Sequence, residues 1–278
     1  MKKILCFALL FLLVGCSAPR AVMQVDGYDI SAELYRYYFQ SMKDEYADEA
    51  TAKSEAVEQL RSHVAVIRFA ERYGVSLTQE ELDEIETQIK SSKARNDNFT
   101  ELLAQSHLTE DSYRELCRHD ALRQKLMQVL FDGAYAMDEA AMRAVIEQEF
   151  ICARHIFFDA NADGAAEAAE QVMQELAEGA SFDALFTEYM GQDYSEEPYL
   201  FGKGYMVEEF DAAARALEIG QVSGLVSTGY GYHFIERLPL DWDYINENLA
   251  TITEEYMQAR IANDMAAQAA GYAVVELE

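Results

Sequence analysis

The spacing of apolar residues changes at Ile151, and this change limits the folds that the chain can adopt. Before Ile151, apolar side chains recur at helical spacing, as in Leu60, Val64 and Ile67. Over residues 151–238, short strands, helices and glycine-bearing turns alternate instead, which is typical of an α+β domain. Helical spacing then returns almost to the end of the chain. The sequence therefore predicts an α+β domain within a mostly helical protein.

Two β-prone runs flank the helical segments, one at residues 22–25 and one at residues 271–278. We predict that these two runs pair as strands. The segments 22–150 and 239–278 then form one discontinuous helical domain, and residues 151–238 are inserted into it. Only three prolines occur in the chain, and no Gly/Ser-rich linker separates these segments, so the domain joints are expected to be short turns.

The first residues, MKKILCFALLFLLVGCSAPR, have the order of an export signal. Two lysines precede a short apolar run at residues 4–14, which is too short to span a bilayer as a mature helix. The run ends in LVGC, which resembles the lipobox of bacterial lipoproteins. The resemblance implies a signal peptide at residues 1–15, lipidation of Cys16 and a tether at residues 16–21. The alternative is a conventional signal peptide in which Cys16 has no role.

The chain carries 50 acidic and 22 basic residues, a formal net charge of −28. This charge argues against binding to nucleic acid, because Lys and Arg must neutralise phosphates there. It also argues against electrostatic docking on anionic lipid. A solvated acidic surface explains the charge, and attraction to basic partners is a second interpretation.

Familiar catalytic and metal-binding motifs are missing from the sequence. There is no Gly-x-Ser-x-Gly elbow, no His-Glu-x-x-His, no phosphate loop and no paired CxxC. None of the five histidines stands at metal-ligand spacing from another. Cys117 and Cys152, the thiols left after export, lie in different segments and do not indicate a disulfide framework. We therefore expect no metal, no cofactor and no hydrolase chemistry.

The strongest indication of function comes from motifs in the α+β segment. ARHIFF lies near its start, and GYGYHFIERL lies at its end. Between them stand a Gly-x-Met-x-x-x-Phe segment at 204–210 and a Gly-x-x-Ser turn at 220–223. In this order the motifs resemble the parvulin family of peptidyl-prolyl isomerases. The stretch 195–201 departs from the family, whose members usually carry a Gly-Gly-Asp-Leu-Gly-like turn there.

The chemistry of prolyl isomerisation explains why such a site needs no nucleophile and no metal. Rotation about a peptide bond has a barrier of about 18–20 kcal/mol, but no bond is broken. A site that is complementary to the twisted amide lowers this barrier. An apolar pocket for the proline ring that excludes water favours that geometry, and polar groups then stabilise the rearranged amide.

The resemblance implies a role for each matching position. His155 and His233 are paired histidines whose rings face each other across the floor of the site and fix its hydrogen bonds. Thr228 is the hydroxyl beside the second histidine, and Asp193 falls near a position that the family fills with Cys or Asp. The proline-binding pocket is matched by Phe157 together with Met206 and Phe210, which stand four apart on one helix face.

Structural interpretations of the same residues remain open. An ordinary hydrophobic core is the alternative for Met206 and Phe210, because pocket and core look alike in sequence. The histidines on the helices, His63, His107 and His119, have no partner motif, and we assign them no function.

The complete arrangement resembles the PrsA-like foldase lipoproteins and, more distantly, the SurA-like chaperones. The resemblance implies an isomerase with client-binding activity, anchored by lipid outside the cytoplasm of a bacterium. Its partners are then unfolded exported proteins that contain X-Pro bonds, and the membrane through the anchor. The alternatives are a non-catalytic holdase with a degenerate parvulin domain and a lipoprotein scaffold of an envelope complex.

Overall fold

A computed structural model of the chain describes residues 21–190 and 199–277. The helices are α1 (Ala32–Glu45), α2 (Glu49–Tyr73), α3 (Gln79–Arg95), α4 (Phe99–Gln105), α5 (Glu110–Asp132), α6 (Glu139–Glu149), α7 (Ala165–Ala177), α8 (Phe182–Met190), α9 (Glu208–Ala216) and α10 (Trp242–Ala269). The strands are β1 (Ala21–Val25), β2 (Tyr28–Ser31), β3 (Ile151–Asp159), β4 (Tyr199–Phe201), β5 (Val226–Ser227), β6 (Gly231–Leu238) and β7 (Val274–Glu276). Mostly helical structure with small antiparallel sheets confirms the predicted fold class. No helix in these two ranges is both long enough and apolar enough to cross a membrane.

The chain divides by its internal contacts into two compact units. The first runs to Tyr135 and resumes at Arg260, and the second comprises Ala136–Ala259. The second unit is wider than the predicted segment 151–238, because α6 and the first half of α10 share a hydrophobic cluster within it. The domain bounds that we derived from the sequence remain a prediction.

The sheet of the first unit has the strand order β2-β1-β7, and all pairs are antiparallel. Asp26 and Gly27 join β1 to β2, both with positive φ (50° and 74°), as a tight two-residue hairpin requires. Strand β7 pairs with β1 so that Gln24 faces Val275 and Val25 faces Val274. The predicted pairing of the first and last strands is therefore confirmed.

The helices of the first unit begin at side chains that cap their free N–H groups. The Ser31 hydroxyl accepts from the backbone N–H of Leu34 at the start of α1. Thr78 and Glu81 form the predicted capping box at α3. Helix α2 ends at Gly74, whose φ of 68° lies in the left-handed region that favours glycine.

Two hydrophobic clusters hold the first unit together. One packs the hairpin against α1 and α2 and contains Met23, Val25, Ile30, Leu34, Leu60 and Val64. The other joins α2, α5 and the end of α10 and contains Val66, Phe69, Ala70, Leu126, Leu130, Tyr135 and Ile261. Burial of a large aliphatic or aromatic side chain contributes about 1.5–3 kcal/mol. The second cluster therefore ties the returning chain to α2 and α5.

The second unit is built around a sheet of order β4-β3-β6-β5. Successive side chains of a strand point to opposite faces, so β3 and β6 each contribute to two clusters. Ile156 and Phe234 pack against α7 and α8 on one face. Ala153 and Ile235 pack against α9 on the other. The two histidines of interest share the α9 face.

One sequence-based expectation in the second unit was wrong. We expected Met206 and Phe210 to stand on one helix face, but α9 begins only at Glu208, because Val207 has the non-helical conformation φ −57°, ψ 147°. Met206 and Phe210 therefore do not share a helix face.

Candidate active site

Strands β3 and β6 place the two histidines on one face of the sheet. Their antiparallel register sets Phe157 opposite His233 and His155 opposite Ile235. Because side chains alternate along each strand, all four point toward α9. The His155 and His233 rings lie nearly parallel, at an interplanar angle of 21° and with centroids 5.1 Å apart.

A short chain of hydrogen bonds fixes these two rings. His155 Nδ1 lies 3.0 Å from His233 Nδ1. His233 Nε2 lies 2.9 Å from the hydroxyl oxygen of Thr228. That oxygen also accepts from the backbone N–H groups of Tyr230 and Gly231. Its hydrogen has two acceptors within reach, His233 Nε2 at 2.9 Å and the Gly231 carbonyl at 3.4 Å, and we assign it to the shorter contact. The chain then runs from the Thr228 hydroxyl to His233 Nε2, and from the N–H at His233 Nδ1 to His155 Nδ1.

This network requires both imidazoles to be neutral. Burial, and second the neighbouring His233, lowers the pKa of His155 to about 4. Burial also lowers the pKa of His233. A second proton on His155 would place two N–H groups against each other between the Nδ1 atoms. A second proton on His233 would place an N–H at Nε2 against the hydroxyl hydrogen of Thr228. At neutral pH the site therefore presents two fixed, uncharged rings.

Aromatic rings surround the pair on the α9 face. Phe157 stacks beside His155, with centroids 5.8 Å apart, and lies 4.9 Å from the ring of His233. Phe210 meets both imidazoles edge-on, at 5.2 and 5.4 Å. Its side chain is only 4% exposed and belongs to the core cluster of this face, against which Met206 is partly buried.

Such an arrangement suits a reaction that needs a complementary, water-excluding surface more than it needs charged groups. Rings and aliphatic groups supply an apolar surface, and the neutral histidines offer hydrogen-bonding atoms without the desolvation cost of an ion. None of the ionised groups that acyl or phosphoryl transfer uses lies in this network. The geometry is consistent with stabilisation of a twisted, uncharged amide.

Two families of known proteins match the chain. The SurA-like N-terminal domain matches residues 3–127, and the PPIC-type PPIase domain matches residues 155–238. Foldase protein PrsA 2 of Listeria innocua serovar 6a is 30% identical over 265 residues, which span 92% of this chain and 82% of that protein. The chain belongs to the PrsA family of foldases.

Other relatives are more divergent. Foldase protein PrsA 1 of Listeria monocytogenes serovar 1/2a is 29% identical over 82% of this chain and 71% of its own length. A crystal structure of the peptidylprolyl isomerase PrsA from Bacillus anthracis is 23% identical, covers 76% of this chain and 95% of its own, and has a TM-score of 0.42. The isomerase domain of this PrsA-family chain is of the PPIC type; the motif at 153–158 overlaps its start, and the motif at 229–238 forms its end.

The structure brings together most of the side chains that the sequence singled out in this PrsA-family domain. His233 contacts His155, Thr228, Phe157 and Phe210, and His155 also contacts Phe157 and Phe210. Met206 packs against the core cluster that contains Phe210. Two other predicted positions, Asp193 and Cys16, lie outside the described residues. In the ranges that the structure describes, no three His, Cys, Asp or Glu side chains are arranged to hold a metal ion. The catalytic and binding roles of all these residues remain predictions.

Tyr199 was missed by sequence reasoning. It stands at the start of β4, opposite Ala153 of β3, and its ring meets that of His155 edge-on with centroids 5.3 Å apart. The side chain is 38% exposed, so it lies at the border of the site. The departure of residues 195–201 from the parvulin pattern was the signal: an aromatic ring follows Pro198 in a stretch without glycines.

Proposed function

We propose that this protein is an extracytoplasmic foldase that isomerises X-Pro bonds in exported proteins and binds those proteins while they are unfolded. The observation that carries the isomerase proposal is the neutral His155–His233–Thr228 network within an aromatic wall. The segment 151–238 is the catalytic part, and the helical segments 22–150 and 239–278 bind clients.

The hydrogen-bond network acts by keeping the side chains of the site in fixed positions. Because Thr228 and His233 fix the ring of His155, the floor of the site does not reorganise when the amide twists. Phe157, Met206 and Phe210 hold the proline ring and keep water away from the reacting bond. Loss of amide resonance is less costly in such a place, since the twisted amide is less polar than the planar one. From the resemblance to parvulins we assign Asp193, which lies outside the described residues, the role of a further polar group.

Exchange kinetics on a proline peptide test the catalytic proposal. NMR exchange spectroscopy on a peptide with one Ala-Pro bond measures the cis/trans rate with and without catalytic amounts of the purified protein. We expect acceleration that falls on His233→Ala and on Met206→Ala. Leu225→Ala, an exposed position in the same unit, is the matched control and is expected to leave the rate unchanged. Absence of acceleration by the folded wild-type protein would refute catalysis.

A holdase without catalysis is the second candidate. The ring of Tyr199 against His155, in a stretch that lacks the family's glycines, is the observation that favours it. Suppression of client aggregation, followed by light scattering of a refolding protein, separates the two. A pure holdase keeps full suppression in His233→Ala and accelerates no peptide, whereas a foldase loses exchange activity and keeps suppression.

We further propose a lipid anchor on Cys16 as the means by which the protein stays at the outer face of the cell membrane. Its support is the order of lysines, apolar run, small residue and cysteine in the first 16 residues. Metabolic labelling with an alkyne fatty acid is expected to mark the wild-type protein and not Cys16→Ser. Equal labelling of the wild-type protein and Cys16→Ser would mean that any lipid is attached to a residue other than Cys16.

A further inference from the structure

The first unit contains a cavity of about 780 Å³ between the β1–β2 hairpin, α2, the start of α3 and α5. Its size lies in the range of ligand sites, about 300–1,000 Å³. Much of its wall is aliphatic and comes from Ile67, Val75, Leu77, Leu82 and Leu122. The isomerase site lies in the other unit, so this cavity has no part in the chemistry described above.

Carboxylates give the cavity an uncompensated negative charge. Glu33 and Glu115 both line it. Burial, and second the charge of Glu33, raises the pKa of Glu115. Within residues 21–190 and 199–277, no Lys or Arg forms an ion pair with either carboxylate; Glu33 accepts only from the Thr109 hydroxyl. Two carboxylates thus repel each other beside an apolar wall.

The basic side chains in the wall do not cancel this charge. Arg114 and Arg118 both line the cavity, but each is ion-paired to Glu86, and Arg114 also to Asp111. The two guanidinium groups therefore neutralise Glu86 and Asp111 and not Glu33 or Glu115. Asp29 of the hairpin adds further negative charge to the lining, whereas Glu71 of α2 is ion-paired to Arg68.

Two histidines form part of the inner wall and add no positive charge. The rings of His63 and His119 stack with centroids 3.7 Å apart, and His63 Nδ1 is hydrogen-bonded to Tyr38. Burial lowers the pKa of His63 to about 3 and also lowers that of His119. Both rings are consequently neutral at neutral pH. Sequence reasoning assigned these histidines no function, and the structure places them in the lining of the same cavity as the two carboxylates.

We propose that this cavity binds a lysine or arginine side chain that an unfolded client presents next to aliphatic residues. The aliphatic stem and its neighbours lie against the apolar wall, and the cationic end lies between Glu33 and Glu115. Entry of the cation removes the repulsion between the two carboxylates, whereas an acidic side chain would increase it. The inference rests on the proposed client-binding function and gives it a chemical preference.

Calorimetric titration with three short probe peptides tests the proposal. One alternates Leu and Lys, one alternates Leu and Glu, and one alternates Ser and Lys. We expect the Leu/Lys peptide to bind and the other two to bind at least about tenfold more weakly, a difference of about 1.4 kcal/mol. The double variant Glu33→Gln/Glu115→Gln is expected to lose about tenfold in affinity for the Leu/Lys peptide, by the same conversion.

The matched control is Glu84→Gln/Glu101→Gln, which removes two exposed carboxylates of the same unit that do not line the cavity. Both double variants carry the same net charge, so general attraction to an acidic protein affects them equally. Gln at position 33 still accepts from Thr109, and thermal unfolding verifies that both variants fold. Equal affinity losses in the two variants, or no binding of the Leu/Lys peptide to wild type, would overturn the proposal.

Failure of this inference is distinguishable from failure of the proposed function. Exchange on the Ala-Pro peptide and suppression of client aggregation are measured on the same samples. Normal exchange and suppression without Leu/Lys binding leave the foldase function in place and remove only the cavity preference.

Discussion

His155 Nδ1 and His233 Nδ1 lie 3.0 Å apart, so a single hydrogen joins the two imidazoles. Which ring carries it is decided at the far end of His233. There the Thr228 oxygen accepts two backbone N–H groups, and we assign its hydrogen to Nε2 at 2.9 Å over the Gly231 carbonyl at 3.4 Å. One hydroxyl thus sets the tautomer of His233 and, through it, the position of His155.

Replacement of that hydroxyl is the first test of the network. In Thr228→Val the shape is kept but His233 Nε2 loses its donor, which costs about 1–3 kcal/mol for a buried polar group. If this cost destabilises the ordered arrangement that catalysis requires, kcat/KM for the Ala-Pro peptide drops about 5- to 150-fold. Thr228→Ser keeps a hydroxyl and is expected to retain most of the activity. Wild-type activity in Thr228→Val would show that the tautomer has no catalytic role.

Acid is expected to disrupt the same pair. Because the pKa of His155 is lowered to about 4, the neutral network persists above that value and is lost as pH falls through it. We expect the isomerisation rate to be flat between about pH 6 and pH 8, since the lowered pKa values lie below the usual histidine pKa of about 6.5. A rate that rises or falls around pH 6.5 would contradict neutral histidines.

Stability follows the same protonation. In the unfolded chain histidine binds a proton near pH 6.5, whereas folded His155 binds it only near pH 4, so the unfolded state holds more protons between these values. The contribution of His155 to stability is complete above about pH 6.5 and declines as pH falls toward 4. Urea unfolding at pH 7 and pH 4.5 is expected to show a smaller difference for His155→Gln than for wild type. If the free energy of unfolding changes equally with pH in His155→Gln and in wild type, His155 is not the source of this pH dependence.

Gly231 is the residue of the GYGYHF motif at which the backbone leaves no room for a side chain. A Cβ there would lie 2.0 Å from the carbonyl oxygen of Phe158, and its φ is +155°. We expect Gly231→Ala to lower the free energy of unfolding by at least about 1–3 kcal/mol from the backbone conformation. Activity should also fall, because Gly231 donates to Thr228. Chemical unfolding and peptide exchange measure both effects.

Gly229 provides the matched control, two residues earlier in the same turn. A Cβ at Gly229 would meet nothing within 4 Å. Gly229→Ala is expected to change stability by no more than about 0.5 kcal/mol, as is usual for open surface positions. Similar losses in the two variants would mean that the turn, and not the close approach to Phe158, limits stability.

Local chemistry explains which parts of this fold could be predicted from the sequence. The capping box of Thr78 and Glu81 depends on residues three apart, and the terminal strands have a β-prone composition that little else in the helical segments shares. The pairing of His155 and His233 rested on the resemblance of the motifs, since nothing in their spacing alone brings two strands 78 residues apart into register.

Other features depend on tertiary structure and could not be predicted from the sequence. The start of α9 after Met206 is set by the extended conformation of Val207, which the apolar spacing does not encode. Tyr199 reaches His155 only because β4 pairs with β3, and a three-residue edge strand has too little pattern to be recognised. The neutrality of the histidines likewise follows from burial, which single residues do not reveal.

Tyr199 is expected to affect which residue precedes proline in the substrate. Its partly exposed ring lies edge-on to His155, where a neighbouring aromatic side chain of the substrate would contact it. Such contacts contribute about 0.5–1.5 kcal/mol, so Tyr199→Leu should reduce the preference for Phe-Pro over Ala-Pro peptides about 2- to 10-fold. Tyr244→Leu, at an exposed tyrosine of α10, is the control. An unchanged preference in Tyr199→Leu would remove this residue from substrate selection.

The pairing of the chain ends is open to a covalent test. Gln24 and Val275 face each other across β1 and β7. Directly opposed residues of antiparallel strands have Cα atoms about 4.5–5.5 Å apart, which is within the range of a disulfide. Gln24→Cys/Val275→Cys should therefore form an intrachain disulfide under mild oxidation, detected as a linked peptide pair by mass spectrometry. Closure of so long a loop should also raise the thermal midpoint of the first unit.

The neighbouring residue supplies the control for this prediction. Val274 pairs with Val25, so its side chain points to the opposite face of the sheet from that of Val275. Gln24→Cys/Val274→Cys places two thiols at almost the same separation along the chain but on opposite faces, and it should remain reduced. If both double variants oxidise equally, the strands slide in register; if neither does, β7 does not pair with β1 in solution, and the first unit is not closed by its terminal strands.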